Sequence, residues 1–405
     1  MGRLSIYFED MELDPHHPWR AALDLALPRV RHLFISSDFH ARELETSALI
    51  TLLTRCSTIL ERFQINITIP HKNRKDSQAQ QRTEDEPEAF PSLKELDLGD
   101  CIDKSDSKTF WPWLSKRCGR VEKIVINSAP VPVENLARCM LDHMPKLNEI
   151  TLGKYRARTG ITTDGMAATL LSGSRSGWKV VRLGPYARFG GSTTDALMAH
   201  LSTLQVVEVR GRDFSSNDLI EVLRSCTNLH TLSITDLSFD PTNRRLPFSA
   251  EVFVDQCHDT ESLKAWKCEV SVRVLKVRIA GIPRQGQKES WKDTNLSRQG
   301  REIQQRVYER LARFTNLETL WLGTCDQGRL GMSVGSGLEK LSSLKKLKEL
   351  GVRGMYRTKL DMKETLWMIE HWPRLCSIVG FRSASFCEAI EWMEMNHPQI
   401  SRYNE

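Results

Sequence analysis

An α/β solenoid is the fold this sequence predicts: parallel strands lining a concave face, helices covering the convex side, about twelve times over. Two observations predict it. A pattern of apolar, two residues, apolar, one residue, apolar returns twelve times along the 405 residues. Between successive copies lie segments with helical periodicity and polar capping residues. Strands separated by one repeat and a crossover must run parallel, which gives a horseshoe.

In chain order the copies are Val30/Leu33/Ile35, Leu60/Phe63/Ile65, Leu93/Leu96/Leu98, Val121/Ile124/Ile126, Leu147/Ile150/Leu152 and Trp178/Val181/Leu183. They continue as Leu204/Val207/Val209, Leu229/Leu232/Ile234, Val272/Leu275/Val277, Leu317/Leu320/Leu322, Leu347/Leu350/Val352 and a degraded Leu375/Ile378. Two copies end in cysteine, Cys101 and Cys325, two residues beyond the last leucine and its neighbour. This period with L-x-x-L-x-L-x-x-N/C is the signature of leucine-rich repeats. Stacked repeats form one quasi-one-dimensional core, so the length does not imply several independent domains.

Helices are expected over Glu45–Cys56, Pro132–His143, Thr162–Leu171, Ser249–Trp266, Arg301–Phe314 and Lys363–His371. Two more follow the capping runs Thr193-Thr194-Asp195 and Ser216-Asn217-Asp218. The expected organisation is an N-terminal cap helix in 1–27, centred on Asp14–Leu27, a solenoid over 28–380, and a C-terminal cap helix in 381–405, centred on Phe386–Met395. Three segments break the period. His71–Glu88 is polar, with no large apolar residue, and is expected to be a mobile loop over 71–88. Asp240–Pro247 (240–247) and Pro283–Gly300 (283–300) supply the extra residues where the spacing lengthens.

The net charge of +6 arises from 57 basic and 51 acidic residues, too balanced to predict nucleic-acid binding by itself. No apolar run is long enough to span a bilayer. The N-terminus lacks the apolar core of a secretory signal. Ten cysteines are present. Cys101 and Cys325 fall at buried repeat positions, and Cys56, Cys118 and Cys226 fall where helices should end against the core. Reduced, structural thiols in a cytoplasmic or nuclear protein are therefore expected.

No motif for catalysis, cofactor or metal stands out. The glycine-rich stretch Gly323–Gly337 follows a strand, but lacks both phosphate-binding registers and reads as a turn. No nucleophile elbow or zinc-hydrolase pair occurs, so the chain reads as a non-enzyme without a cofactor.

The informative surface is the concave face, where residues between the leucines point away from the core. Its first half is neutral to acidic, with Glu95, Asp97 and Glu149. Its second half collects Arg182, Arg210, Lys276, Arg278 and Arg353 near an exposed Trp321. Exposed Trp and Arg are enriched where proteins bind proteins, and a basic lining with an aromatic anchor suits an acidic or phosphorylated peptide. These six residues are the candidate partner-binding set. Solvated charges that keep a sheet soluble are the alternative reading.

The chain resembles the ribonuclease-inhibitor-like, cysteine-containing repeats of F-box/LRR proteins, particularly the large fungal sets. Trp266-Lys267-Cys268, Val274–Arg284, Gln305–Leu311, Leu317–Gly337, Glu349–Gly354 and His371-Trp372-Pro373 carry the resemblance. It implies a substrate receptor whose repeats hold a target while an F-box docks on the adaptor of a cullin-RING ubiquitin ligase. Met1–Leu27 is too short to hold an F-box before the first repeat strand. The expectation is therefore either a receptor whose F-box lies outside this sequence or a scaffold without the ligase dock. Binding of nucleic acid by the basic half of the arc is a further alternative.

Overall fold

The computed structural model describes residues 3–8, 27–37, 46–56, 58–66, 68–69, 90–99, 102–103, 110–128, 132–154, 163–186, 190–210, 215–234, 248–254, 265–280, 282, 297–323, 330–352, 361–379 and 387–403. The chain divides into two compact units, Met1–His200 and Leu201–Glu405. Each is an α/β leucine-rich-repeat unit built on a parallel sheet.

The first unit's sheet comprises β1 (Arg3–Phe8), β2 (His32–Ser37), β3 (Arg62–Asn66), β4 (Glu95–Asp97), β5 (Lys123–Ile126), β6 (Glu149–Leu152) and β7 (Val180–Leu183), each paired in parallel with the next. The register places Leu4, Leu33, Phe63, Leu96, Ile124, Ile150 and Val181 in one lateral row. A second row, two residues on, includes Ile35, Ile65, Leu98, Ile126, Leu152 and Leu183, all buried. The second unit repeats the plan with β8 (Val206–Val209), β9 (Thr231–Ile234), β10 (Val274–Ala280), β11 (Thr319–Gly323), β12 (Glu349–Gly351), β13 (Ser377–Val379) and β14 (Ser401–Tyr403). All twelve apolar triplets thus fall on or beside sheet strands, β2 to β13. Two strands without the motif, β1 and β14, extend the two ladders outward.

The helices follow the strands: α1 (Thr46–Cys56), α2 (Phe110–Ser115), α3 (Val133–His143), α4 (Asp164–Leu171) and α5 (Gly191–Met198) in the first unit. The second has α6 (Ser216–Ser225), α7 (Ala250–Phe253), α8 (Arg298–Ala312), α9 (Met362–His371) and α10 (Cys387–Asn396). Polar side chains set their starts. Ser215 and Asp218 form a reciprocal capping box on α6, Thr163 caps α4, and Ser297 caps α8. Of the helix expected over Ser249–Trp266 the described residues show the turn α7, residues 255–264 lie outside them, and Trp266 sits in the core outside any helix. Helix α8 starts earlier than its apolar pattern suggests, because Ser297 captures the Gly300 amide at 2.9 Å; the last residues of the expected insertion 283–300 are therefore helical. The segments 71–88 and 240–247, most of Asp14–Leu27, and Cys101 and Cys325 lie outside the described residues.

One cap crosses between repeats. The N-cap of α5 is Gly190, which has no side chain to offer. Asp164, from α4, takes its place by accepting the amides of Ser192 and Thr193, each at 2.9 Å, together with the Thr193 hydroxyl. A Cβ at Gly190 would stand 3.0 Å from the Asp164 carboxylate, so the glycine makes room for the borrowed cap. Burial raises the Asp164 pKa, but the hydrogen bonds from Thr193 and Ser192 outweigh it and hold the carboxyl below its ordinary range.

The second unit buries one charged network behind its sheet. Arg310 is fully buried, with Nη1 at 3.1 Å from Glu269 and its guanidinium 4.4 Å from the Trp266 ring centre. Arg313 closes on the other Glu269 oxygen at 2.9 Å, and the Trp266 amide donates to Glu269 at 3.0 Å. Both carboxylate oxygens are thus engaged, and the network fastens α8 to the turn that enters β10.

The buried thiols of Cys56, Cys118 and Cys226 are pushed up to about 12 by desolvation, and that of Cys268 is raised as well. Such thiols stay protonated and unreactive at neutral pH.

Three outcomes follow. Leu320→Ala truncates a fully buried row residue and should cost about 2–5 kcal/mol in denaturant unfolding. Glu269→Ala leaves Arg310 buried without its carboxylate and should cost about 3–5 kcal/mol, whereas replacing Glu269 and Arg310 together by apolar residues should recover most of that loss. Asp164, with its folded pKa depressed, stabilises the protein above the ordinary carboxylate range, and this contribution fades as pH falls through the folded value. Asp164→Asn should therefore destabilise by about 0.5–2 kcal/mol at neutral pH and show less acid-induced loss than wild type in pH-dependent melting.

Candidate functional site

Side chains between the inward rows stand on the opposite face of each sheet. In the second unit one register row on this face is Glu208, Ser233, Lys276, Trp321, Gly351 and Val379. The neighbouring row is Val206, Thr231, Val274, Thr319, Glu349 and Ser377. Lys276, Trp321 and Gly351 are therefore adjacent across three strands, with Glu349 two residues before Gly351.

These residues interlock. The Lys276 ammonium sits 3.9 Å from the centre of the Trp321 ring. The Trp321 indole N–H donates to Glu349 Oε1, and the same oxygen lies 3.7 Å from Lys276 Nζ. The indole rests against Gly351, where an added Cβ would come within 2.4 Å of the ring. Only a residue without a side chain lets the ring lie down there. Trp321 is consequently half-buried, where the sequence suggested full exposure. The ammonium and carboxylate keep side-chain exposures of 27% and 30%, so both remain open to an approaching group.

Of the six sequence-derived candidates, the structure brings Lys276 and Trp321 into contact. Arg210, just after β8, is exposed two strands from Lys276. Arg278 lies on β10 in register with Gly323. Arg353 falls outside the described residues. Arg182 belongs to the first unit, on β7, and pairs with Glu149 at 3.5 Å. Sequence reasoning placed the aromatic and the lysine but did not single out Glu349 or Gly351 as site residues. Register would have pointed to both, since Gly351 is the cross-strand neighbour of Trp321.

The first unit's face is different. Arg62 reaches Glu95 at 3.4 Å and Asp97 at 4.0 Å, and Lys123 reaches Glu95 at 2.9 Å. Asp97, Val125 and Thr151 are buried, although strand alternation assigns them to the face away from the core. Alternation fixes a side chain's direction and not its accessibility. At Asp97 the Arg62 side chain approaches from β3, and the carboxylate turns back to accept the Gly99 amide at 3.0 Å. Burial leads the causes that raise the Asp97 pKa, against the lowering by Gly99, Arg62 and Lys154.

The described end of the glycine-rich stretch is a packed turn. Gly331 donates its amide to Gln304 at 2.8 Å, its carbonyl accepts the Tyr308 hydroxyl at 2.7 Å, and Gln304 also donates to the Ser336 carbonyl at 2.7 Å. Gly337 has φ +114°, and a Cβ there would meet the Tyr308 ring at 2.7 Å. Among the described residues of this stretch, the Gly331 amide is thus already engaged by Gln304. Among the described residues no cluster of His, Cys, Asp and Glu could hold a metal ion, and no helix is long and apolar enough to cross a membrane.

No family model matches the chain, and no curated protein does. Among solved structures it is similar to the leucine-rich repeat-containing protein LegL7 from Legionella pneumophila, at 14% identity and a TM-score of 0.33, over 76% of this chain and 93% of that one. The fold assignment accordingly rests on the strand ladders and the repeat pattern.

Trp321→Ala removes a half-buried ring from the sheet face, not from the leucine rows. Its unfolding free energy should fall much less than that of Leu320→Ala, as compared in parallel denaturant titrations. Equal losses would show that the ring is core.

Proposed function

We propose that this chain is a non-catalytic protein-interaction module that grips its target on the second unit's sheet face, with Trp321 as anchor. One observation carries this reading: a half-buried indole is fixed against Gly351 by Lys276 and Glu349. Aromatic anchors held in one orientation lose little freedom on binding, and Trp is the residue type most enriched at binding hot spots.

The finer reading is a substrate-recognition arm of the F-box/LRR type in the cytoplasm or nucleus, feeding a cullin-RING ubiquitin ligase. Its target is an acidic or phosphorylated segment meeting Arg210, Lys276 and Arg278, with Arg353 as a further candidate contact and Arg182 a separate candidate on the first unit's own sheet. The resemblance of the repeats to F-box/LRR proteins supports the ligase role, and the exposed Arg210 and partly open Lys276 support the acidic target. A scaffold without the ligase dock is the alternative. Nucleic-acid binding is less favoured, because the net charge of +6 arises from nearly balanced totals of 57 basic and 51 acidic residues.

Calorimetric titration against the adaptor that F-box proteins dock on tests the ligase role for this chain: one-to-one binding supports it, and no binding at tens of micromolar leaves a bare recognition arc, either a scaffold or a receptor whose F-box lies outside this sequence. For the face itself, a library of acidic and phosphorylated peptides should contain binders that Trp321→Ala and Gly351→Ala both lose while each variant remains folded at the assay temperature by circular dichroism. Affinity that is independent of both substitutions would move the site elsewhere. A steep fall of affinity with salt on single-stranded or duplex nucleic acid, absent for peptides, would favour the nucleic-acid reading.

A further inference from the structure

The inference concerns Glu349 and rests on the acidic-target reading of this same face. Two donors, the Lys276 ammonium and the Trp321 indole N–H, converge on a single oxygen, Glu349 Oε1. Together they form a recognition point for an anionic oxygen, and the chain fills it with its own carboxylate. We infer that Glu349 is a built-in competitor that sets an affinity threshold at this site, which a phosphorylated side chain passes and aspartate or glutamate does not.

The threshold follows from what an exchange gains. A partner's carboxylate that displaces Glu349 replaces one monoanion by another, and binding must still meet the cost of association. Little affinity remains. A phosphoryl group carries about −1.5 to −2 charge near neutral pH and three acceptor oxygens. It can take the Lys276 ammonium and the indole N–H and still offer an oxygen to a further cation. Charge-assisted hydrogen bonds of that kind are roughly twice as strong as neutral ones. The displaced Glu349 side chain is 30% exposed before exchange and can turn to solvent. Lys276 is the donor that changes partner.

The position of the competitor also matters. Glu349 is two residues before Gly351 on the same strand, so the glycine that seats the ring and the acid that restrains it are held in one register. A ligand that removes Glu349 frees the indole N–H without unseating the ring from Gly351.

The test follows the Trp321 indole N–H by nitrogen-15 NMR of the full chain at pH 7.5 and constant ionic strength, with the resonance assigned by its loss in Trp321→Phe. The probes are N-acetyl-phosphoserine methylamide and N-acetyl-glutamate methylamide. In wild type the phosphoserine probe should shift the resonance at a concentration roughly tenfold below the glutamate probe. In Glu349→Gln, whose amide oxygen still accepts the indole N–H but carries no charge, both probes should act at roughly tenfold lower concentration and the glutamate probe should come into range. Equal midpoints in wild type, or midpoints unchanged in Glu349→Gln, would overturn the inference. If neither probe moves the resonance while Trp321-dependent peptide binding persists, the threshold set by Glu349 fails and the binding face stands. Loss of Trp321-dependent binding altogether would remove both.

Discussion

Everything in each unit depends on lateral burial of apolar rows. A strand of three to seven residues cannot bury a face alone, and a single repeat has no core of its own. Each leucine is covered because a leucine, isoleucine or valine at the same register position lies on the neighbouring strand. Leu232, Leu275, Leu320 and Leu350 form such a row in the second unit, all fully buried. The row fixes register, because a one-residue slip would turn it to the other face. Register then decides which polar residues become neighbours on the opposite side.

The polar devices work within that frame. Asp164 reaches from one helix to cap the next, where Gly190 offers no side chain. Arg310 and Glu269 join a helix to the turn before a strand, behind the sheet. Each ties one repeat to its neighbour, which is the direction in which a stack of repeats needs support. On the front of the second unit the same lateral logic gathers Lys276, Trp321, Glu349 and Gly351 from three strands. In the first unit it produces self-neutralised pairs of Arg62, Glu95, Lys123 and Asp97. The second face therefore holds an aromatic anchor, and the first is closed by its own ion pairs.

The repeat plan was legible because it is written in period and alternation, both local properties of the chain. Every apolar triplet from Leu33/Ile35 to Ile378 belongs to the sheet ladders, and helix starts such as that of α6 were signalled by their capping residues. Strands β1 and β14 were missed because they lack the full motif. They are held by the neighbour's backbone rather than by a complete apolar triplet. The helix end expected at Trp266 was misread for the opposite reason: Trp266 is apolar through its tertiary role, stacked under Arg310, rather than through helical periodicity.

The sequence by itself determined the parallel α/β repeat, the core rows and the buried cysteines, because those follow from spacing and hydrophobicity along one chain. Only the tertiary structure decided which face residues meet. Lys276, Trp321 and Glu349 are tens of residues apart, and their contact exists because parallel pairing brings equivalent positions of successive repeats side by side, 4.7–4.9 Å apart in typical sheets. The same pairing seats the indole on Gly351 and buries Asp97. Charge and exposure at a face are properties of neighbours across strands, and a linear reading sees only neighbours along one.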